Sequence, residues 1–233
     1  MNSSIDAKKR VAIASIKLIE NGHCIGLGSG STVNCLIVEL GKRIQENKLN
    51  ILGVSTSKQT TELATKQGIP LTTLDRHPIL DLAIDGADQV DPELNLIKGM
   101  GGALTREKIV DRASKKLVII VDESKITPQL GVGQVVPVEV IPFAIAPVME
   151  KLVKLGGKPK IRLSKDRNRH FVTDNGNKIV DVDFGAINEA KQLEKKIKKI
   201  TGVVESGLFI EMAKIVFIGS KNAVKTIERR SVK

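Results

Sequence analysis

Three glycine- or aspartate-rich segments of this sequence carry residue types that could bind an anion or transfer a proton. The first, GLGSGST at residues 26–32, has glycines that let the backbone approach a ligand and hydroxyls that can donate to phosphate oxygens. It lacks the lysine of a Walker loop, and Ser31 stands where a dinucleotide fingerprint has its third glycine. The pattern favours phosphate binding, with a tight turn that holds no ligand as the alternative.

The second segment, DGADQVD at residues 85–91, is rich in carboxylates. Asp85, Asp88 and Asp91 could bind sugar hydroxyls, hold a metal ion or cap a turn. Their spacing does not fit an EF-hand loop and no histidine stands at ligand spacing, which disfavours a catalytic metal. Because Asp91 precedes Pro92, it is the best candidate for a turn residue.

The third segment, KGMGGALTREK at residues 98–108, combines a lysine, a glycine run and a glutamate. The backbone N–H groups of Gly99–Gly102, with Lys98 beside them, could stabilise an oxyanion. Glu107 lies about one turn into the predicted helix that follows and could act as a general base. An exposed charged turn formed by Arg106–Lys108 is the alternative.

Other chemistry-bearing residues give weaker signals. Lys125 follows a predicted buried strand, where it could reach a phosphate or lie on the surface. The three histidines are far apart in sequence and form no catalytic triad or metal-ligand pattern. The lysines of the segment 195–199 flank isoleucines and indicate the solvated face of an amphipathic helix rather than a nucleic-acid patch.

Strand and helix patterns alternate through the first half of the chain, which predicts an α/β fold with a mostly parallel sheet. In such sheets ligands bind at the carboxyl ends of the strands, where all three segments are expected. The predicted helices are 4–21, 33–45 and 58–67, and the predicted strands are 23–27, 51–55, 82–84 and 117–121.

From about residue 132 the pattern changes to strand, helix, strand, strand, helix, strand, which is typical of a small split βαβ unit. The DNG at residues 174–176 predicts a hairpin turn. The final strand, 214–219, is expected to return to the first sheet. We therefore predict an α/β domain of residues 1–131 plus 207–233, with a small α+β domain of residues 132–206 inserted in it.

The composition excludes several classes of protein. With 41% hydrophobic and 27% charged residues, the chain resembles a folded globular protein. It has no membrane-span pattern, no secretory-signal pattern and two cysteines, which predicts a cytoplasmic protein. The absence of Trp and Tyr disfavours binding by aromatic stacking. The net charge of +11 fits a nucleic-acid partner, a small anionic substrate or a solvated basic surface.

In this order, the motifs closely resemble those of the ribose-5-phosphate isomerase type A family. GLGSGST resembles the family's phosphate loop, DGADQVD its acidic loop and KGMGGALTREK its catalytic loop. The segments VDESK, VPVEVIP, KLGGKP, VTDNGN and GVVESGLF follow in the family's order, so the resemblance covers nearly the whole chain. Met100 stands where the family often has glycine.

The resemblance implies a Rossmann-like domain with an inserted ferredoxin-like lid domain. It implies interconversion of ribose 5-phosphate and ribulose 5-phosphate through a cis-enediolate, in the non-oxidative branch of the pentose phosphate pathway, without metal or organic cofactor. It also implies a homodimer or homotetramer that binds neither nucleic acid nor membrane. The substrate contacts carried over are Ser29, Gly30, Ser31, Thr32, Asp85, Gly86, Ala87, Asp88, Lys98, Gly99, Met100, Gly101 and Lys125.

The resemblance assigns the base to Glu107, and the residue chemistry agrees with this and suggests the other catalytic roles. Glu107 would carry the proton between C2 and C1, and Lys98 with the glycine amides would stabilise the enediolate oxyanion. Asp85 would assist opening of the furanose ring, and Asp88 would hold substrate hydroxyls. Three other classes remain open: a non-catalytic sugar-phosphate sensor, an enzyme acting on other sugar phosphates or acyl-CoA, and a nucleic-acid-binding protein.

Overall fold

The computed structural model describes residues 2–229, which divide into two units. The first contains the described residues up to Ala87, Arg106–Ile126 and the described residues from Met212. The second contains Asp88–Thr105 and Thr127–Glu211. The second unit thus includes residues 88–105, which were predicted to belong to the first domain. They belong to the second unit because their two short strands pair in a sheet with a strand from residues 208–209. Whether 132–206 folds as a separate domain stays a prediction.

Strands and helices alternate along the described residues. The strands are β1 (Cys24–Leu27), β2 (Leu52–Ser55), β3 (Leu82–Asp85), β4 (Gln89–Val90), β5 (Leu96–Ile97), β6 (Leu117–Asp122), β7 (Val136–Val140), β8 (Lys158–Ile161), β9 (Lys178–Asp183), β10 (Val203–Ser206), β11 (Leu208–Phe209), β12 (Ala213–Gly219) and β13 (Val224–Glu228). The α-helices are α1 (Asn2–Ile16), α2 (Ser31–Gln45), α3 (Lys58–Lys66), α4 (Leu104–Ala113), α5 (Ile145–Lys154) and α6 (Ala190–Lys198). In this part of the chain, none of the helices has the length and apolar character needed to span a membrane.

The first unit has a six-stranded sheet in the order β13-β12-β6-β3-β1-β2. Its strands pair in parallel except at the β12–β13 edge. Every residue of β1 and β3 is buried, as expected of central parallel strands covered on both faces. Apolar residues of α1 and α2, including Val11, Leu36 and Leu40, form one core with these strands. The predicted mostly parallel sheet is confirmed, including the return of the 214–219 segment beside β6.

The second unit has a four-stranded antiparallel sheet in the order β10-β7-β9-β8. Val148 and Leu152 of α5 and Ile197 of α6 pack in one core with apolar residues of β7 and β9. The succession β7, α5, β8, β9, α6, β10 confirms the predicted split βαβ unit. A small sheet, β11-β5-β4, was not predicted, because each of its strands is only two residues long.

The predicted hairpin around the DNG segment is wrong in one respect. Residues 173–177 do form a turn, closed by the Thr173 N–H donating to the Asn177 carbonyl at 3.0 Å. However, the segment before this turn is not a strand, and β9 pairs instead with β8, which ends at Ile161. The segment before the turn is held by a side-chain contact, in which Thr173 donates a hydrogen bond to Glu139.

Candidate active site

Asp85 ends β3 and is held by the loop that follows β1. Its Oδ1 accepts hydrogen bonds from the backbone N–H of Ser29 at 3.0 Å and of Gly86 at 2.7 Å. The residue is 0% exposed. A Cβ on Gly28 would lie 2.1 Å from the same carboxylate oxygen, so a glycine is needed where the loop passes Asp85. The structure therefore joins the first two predicted segments at the carboxyl edge of the parallel sheet.

A cluster of hydroxyl groups fixes Ser29. Its Oγ lies 2.8 Å from Thr56 Oγ1, 2.9 Å from Ser57 Oγ and 3.1 Å from Thr60 Oγ1. Thr60 also donates to the Gly28 carbonyl at 2.9 Å. Thr56, Ser57 and Thr60 were not predicted as part of the site, because their only signal in the sequence is a run of hydroxyl residues after β2.

Ser31 begins α2, and its hydroxyl has a basic neighbour. Lys8 of α1 donates from Nζ to Ser31 Oγ at 2.9 Å. Gly30 precedes the helix with φ +109°, a conformation that glycine adopts readily. A helix N-terminus beside a lysine suits an anion such as phosphate. Lys8 was not predicted as part of the site, because nothing in the sequence distinguishes it from the adjacent Lys9 and Arg10.

Lys125 lies at the end of a short 3-10 helix, Glu123–Lys125, directly after β6. Asp122 caps this turn by accepting the Ser124 N–H at 3.0 Å. Lys125 is half-buried. Since β6 is parallel to β3, the carboxyl ends of both strands are at the same edge of the sheet, and Lys125 comes just after that edge, as Asp85 stands at it.

In the second unit, Asp88 contacts the glycine run. The Met100 N–H donates to Asp88 Oδ2 at 3.0 Å. Arg162, which the sequence analysis did not single out, donates from Nη1 to the carbonyls of Gly99 at 3.0 Å and Met100 at 2.9 Å. The loop is thus bound through its backbone on both sides.

Lys98 is a buried cation. It is 2% exposed, and its Nζ lies 5.2 Å from the centre of the Phe209 ring. An aromatic face at this distance stabilises a positive charge. The backbone N–H of Lys98 donates to the Gly207 carbonyl at 2.9 Å, which fixes the start of the glycine run.

Glu107 lies in the first turn of α4 and is 4% exposed. Lys108 is buried as well, so the alternative of an exposed charged turn is wrong for these two residues. The N-terminus of a helix favours a carboxylate. The helix packs closely on β1, since a Cβ on Gly26 would lie 2.5 Å from Val110 Cγ1.

Asp91 has the structural role that the sequence indicated. Its Oδ1 accepts the Asn95 N–H at 2.8 Å, and its carbonyl accepts the Leu94 N–H at 3.0 Å. Burial raises the pKa of its carboxyl group, against the lowering effect of the Asn95 hydrogen bonds. Within residues 2–229, no group of three or more His, Cys, Asp or Glu side chains is placed to hold a metal ion.

Comparison with known proteins gives consistent matches along the chain. The family model of ribose 5-phosphate isomerase A (phosphoriboisomerase A) matches residues 52–223. The ribose-5-phosphate isomerase A of Methanosarcina acetivorans is 48% identical over 232 residues, which cover 98% of each protein.

Solved structures agree with the sequence matches. The structure of ribose 5-phosphate isomerase A from Methanocaldococcus jannaschii has a TM-score of 0.92 at 47% identity, covering 97% of this chain and 99% of that one. A D-ribose-5-phosphate isomerase in complex with phospho-erythronic acid has a TM-score of 0.95 at 40% identity, covering 98% and 100%. Fold and relatives together define the chain as an isomerase of the α/β class. It belongs to the ribose 5-phosphate isomerase A family.

Proposed function

We propose that this protein interconverts D-ribose 5-phosphate and D-ribulose 5-phosphate through a cis-enediolate. One observation carries the proposal: a ribose-5-phosphate isomerase A is 48% identical over 98% of this chain. The reaction belongs to the non-oxidative branch of the pentose phosphate pathway. It requires a base, a group that stabilises an oxyanion, a group that assists ring opening and an anchor for phosphate.

Glu107 is the proposed base, which takes the proton from C2 and returns it to C1. Its burial in the first turn of α4 supports this role. A carboxylate removed from water and held by a helix has a fixed position from which to transfer a proton. Because the same group accepts and returns the proton, the reaction leaves Glu107 unchanged.

Lys98 and the amides of Gly99 and Gly101 are the proposed stabilisers of the enediolate oxyanion, since the Met100 N–H donates to Asp88 and the Gly102 N–H to the Gly99 carbonyl. Preorganised positive groups at the point where negative charge develops lower the barrier without reorganising during the reaction. The burial of Lys98 and the hydrogen bonds that fix the loop support this role.

Asp85 is the proposed group for opening the furanose ring, and Asp88 is proposed to hold the sugar hydroxyls. Asp85 is positioned by two backbone N–H groups, and Gly86 and Ala87 continue the segment as proposed substrate contacts. The Met100 N–H positions the carboxylate of Asp88.

The phosphate group is proposed to bind at the start of α2, on Ser29–Thr32, with Lys125 as a further cation. The contact of Lys8 with Ser31 supports this position and adds Lys8 to the anchor. Binding energy from the phosphate, which does not react, would hold C1 and C2 in place during catalysis.

The wider properties of the protein are proposed from its family resemblance. We propose a cytoplasmic homodimer or homotetramer that needs no metal or organic cofactor, which light scattering and an assay in excess EDTA would test. We expect neither nucleic acid nor membrane to be a partner.

The experiment that tests this function follows ribulose 5-phosphate formation from ribose 5-phosphate by the purified protein in excess EDTA. Saturable product formation in both directions is the expected result. Binding of ribose 5-phosphate without product would contradict the proposal and favour the sugar-phosphate sensor. Running the reaction in D2O adds a readout of mechanism, because deuterium entering the product at C1 requires proton transfer through an enediolate.

A further inference from the structure

The peptide group between Gly99 and Met100 is held at both ends by charged side chains. Its carbonyl accepts a hydrogen bond from Arg162 at 3.0 Å, and its N–H donates to Asp88 at 3.0 Å. We propose that Arg162 is a positioning residue for catalysis, which sets the orientation of the glycine run and of Asp88. This inference rests on the proposed function, since it assigns Arg162 to the same reaction.

Arg162 is suited to this task by its shape and its own support. Its Nε donates to Asp181 Oδ2 at 2.8 Å, and its Nη2 bonds the other oxygen of that carboxylate. Its guanidinium also lies over the Phe171 ring, 5.9 Å from the ring centre. The Arg162 side chain is 11% exposed. A planar fork fixed by a bidentate carboxylate and a ring can direct Nη1 with little freedom.

The two carbonyl contacts determine where the amides of the loop point. In a planar trans peptide, the C=O and N–H groups point in opposite directions. With the Gly99 carbonyl on Arg162, the Met100 N–H is directed to Asp88. With the Met100 carbonyl on Arg162 at 2.9 Å, the Gly101 N–H is directed to the opposite side of the loop. Arg162 therefore orients an amide proposed for the oxyanion and a carboxylate proposed for the sugar hydroxyls.

The end of the glycine run is fixed by packing against the same group of side chains. The Gly102 N–H donates to the Gly99 carbonyl at 2.9 Å, so this carbonyl accepts from both Gly102 and Arg162. A Cβ on Gly102 would lie 2.4 Å from the Phe171 ring. The Phe171 ring therefore packs against Gly102 and also lies next to the Arg162 guanidinium. This packing leaves the turn at Gly102 little room to shift.

The test compares Arg162→Ala, Arg162→Lys and Asp181→Asn with the wild-type protein in the isomerase assay. A small misplacement of catalytic groups costs on the order of 10²-fold in rate, so we expect kcat of Arg162→Ala to fall about 10- to 100-fold. KM should rise less than kcat falls, because the hydroxyl contact of Asp88 weakens while the phosphate anchor is untouched. Arg162→Lys keeps the charge but not the fork, so it should remain well below wild-type kcat.

Two controls separate positioning from general stability. Lys198→Ala removes another ion pair of the second unit, with Glu205 at 2.9 Å, and should leave kcat unchanged. Guanidinium added at about 20 mM, far below denaturing concentrations, should partly restore kcat of Arg162→Ala and have no effect on Lys198→Ala. Hydrogen exchange at the amides of residues 99–102 should accelerate in the Arg162 variants.

The outcomes are distinguishable from failure of the proposed function. Wild-type protein without isomerase activity would refute the function, and the exchange measurement would still decide whether Arg162 orders the loop. An active wild type with Arg162 variants of normal kcat per folded molecule would overturn the positioning role alone. A rise in KM at unchanged kcat would overturn it as well, because that result indicates uniform binding. If Arg162→Ala does not fold, Arg162→Lys and Asp181→Asn decide by the same criteria.

Discussion

Lys8 places an ammonium group on the hydroxyl of Ser31, at the start of α2. If this is part of the phosphate anchor, Lys8→Ala should raise KM for ribose 5-phosphate about tenfold, which corresponds to the loss of one charge-assisted hydrogen bond. The value of kcat should change much less. Steady-state kinetics of the variant over a range of ribose 5-phosphate concentrations measures both constants.

The matched control is Lys9→Ala, which removes the same charge from an exposed neighbouring residue. It should keep the wild-type KM. Equal KM values for Lys8→Ala and Lys9→Ala would mean that Lys8 is not a phosphate ligand.

Asp81 links the start of β1 to Lys115 and makes stability depend on pH. The hydrogen bond from Lys115 lowers the pKa of Asp81, with a further contribution from the Cys24 N–H. The ionised form therefore stabilises the fold above the ordinary pKa of 3.8, and this contribution is lost as pH falls through the lowered value. Asp81→Asn should cost less than about 1 kcal/mol at pH 7, because Lys115 is largely exposed and solvent screens the pair, and the cost should shrink as the pH falls below 4.

Urea unfolding of the wild type and Asp81→Asn at several pH values measures this difference. Glu62→Gln, at an exposed position of α3, is the control, and its free energy of unfolding should equal that of the wild type at every pH. A destabilisation that stays constant from pH 7 to pH 3 would show that charge on Asp81 is not its cause.

At the scale of elements, Glu139 of β7 connects the start of α4 with the turn at residues 173–177. The buried carboxylate accepts hydrogen bonds from Thr173 at 2.9 Å, Asn175 at 3.1 Å and Asn177 at 2.9 Å, and from Thr105 at 2.5 Å. Glutamine in its place keeps one acceptor oxygen for the three donors on Oε1 and can donate to the Thr105 hydroxyl, but it loses the negative charge. Glu139→Gln should therefore destabilise the protein by about 1–2 kcal/mol, because charge-assisted hydrogen bonds are replaced by weaker neutral ones.

Denaturant unfolding measures this loss, with Glu150→Gln at an exposed position of α5 as the control. Equal unfolding midpoints for both variants would mean that the cluster around Glu139 contributes nothing to stability. Because Thr105 stands two residues before Glu107, Glu139→Gln should also lower kcat.

The elements that periodicity defines could be predicted from the sequence, whereas the contacts that cross the fold could not. Alternation of strands and helices predicted the parallel sheet, and the loops that follow β1 and β3 lie at its edge as expected. The expectation was wrong for the segment that begins at Lys98, because it follows β5 of the small antiparallel sheet. The contacts of Lys8, Arg162 and Glu139 join residues 23, 62 and 34 positions apart, and no local pattern marks them. The turn predicted at the DNG segment is present. The strand predicted before it is not, because Thr173 hydrogen-bonds the buried side chain of Glu139 and does not pair with β9.

At the scale of the whole molecule, 37 basic and 26 acidic residues leave a net charge of +11. A positive field attracts an anionic sugar phosphate, and salt screens this attraction, with a Debye length of about 10 Å at 0.1 M. We expect KM for ribose 5-phosphate to rise several-fold between low and high ionic strength, while kcat stays nearly constant. A KM independent of salt would mean that the excess charge does not serve substrate binding.

The most direct test of the proposed mechanism is the turnover of Glu107→Gln. The substitution keeps the size of the side chain and removes its ability to accept and return a proton. With folding verified by unfolding curves, kcat should fall by about 10²–10⁴-fold relative to wild type, the usual range for loss of a general base. A folded Glu107→Gln variant that keeps most of its turnover would contradict the assignment of Glu107 as the base.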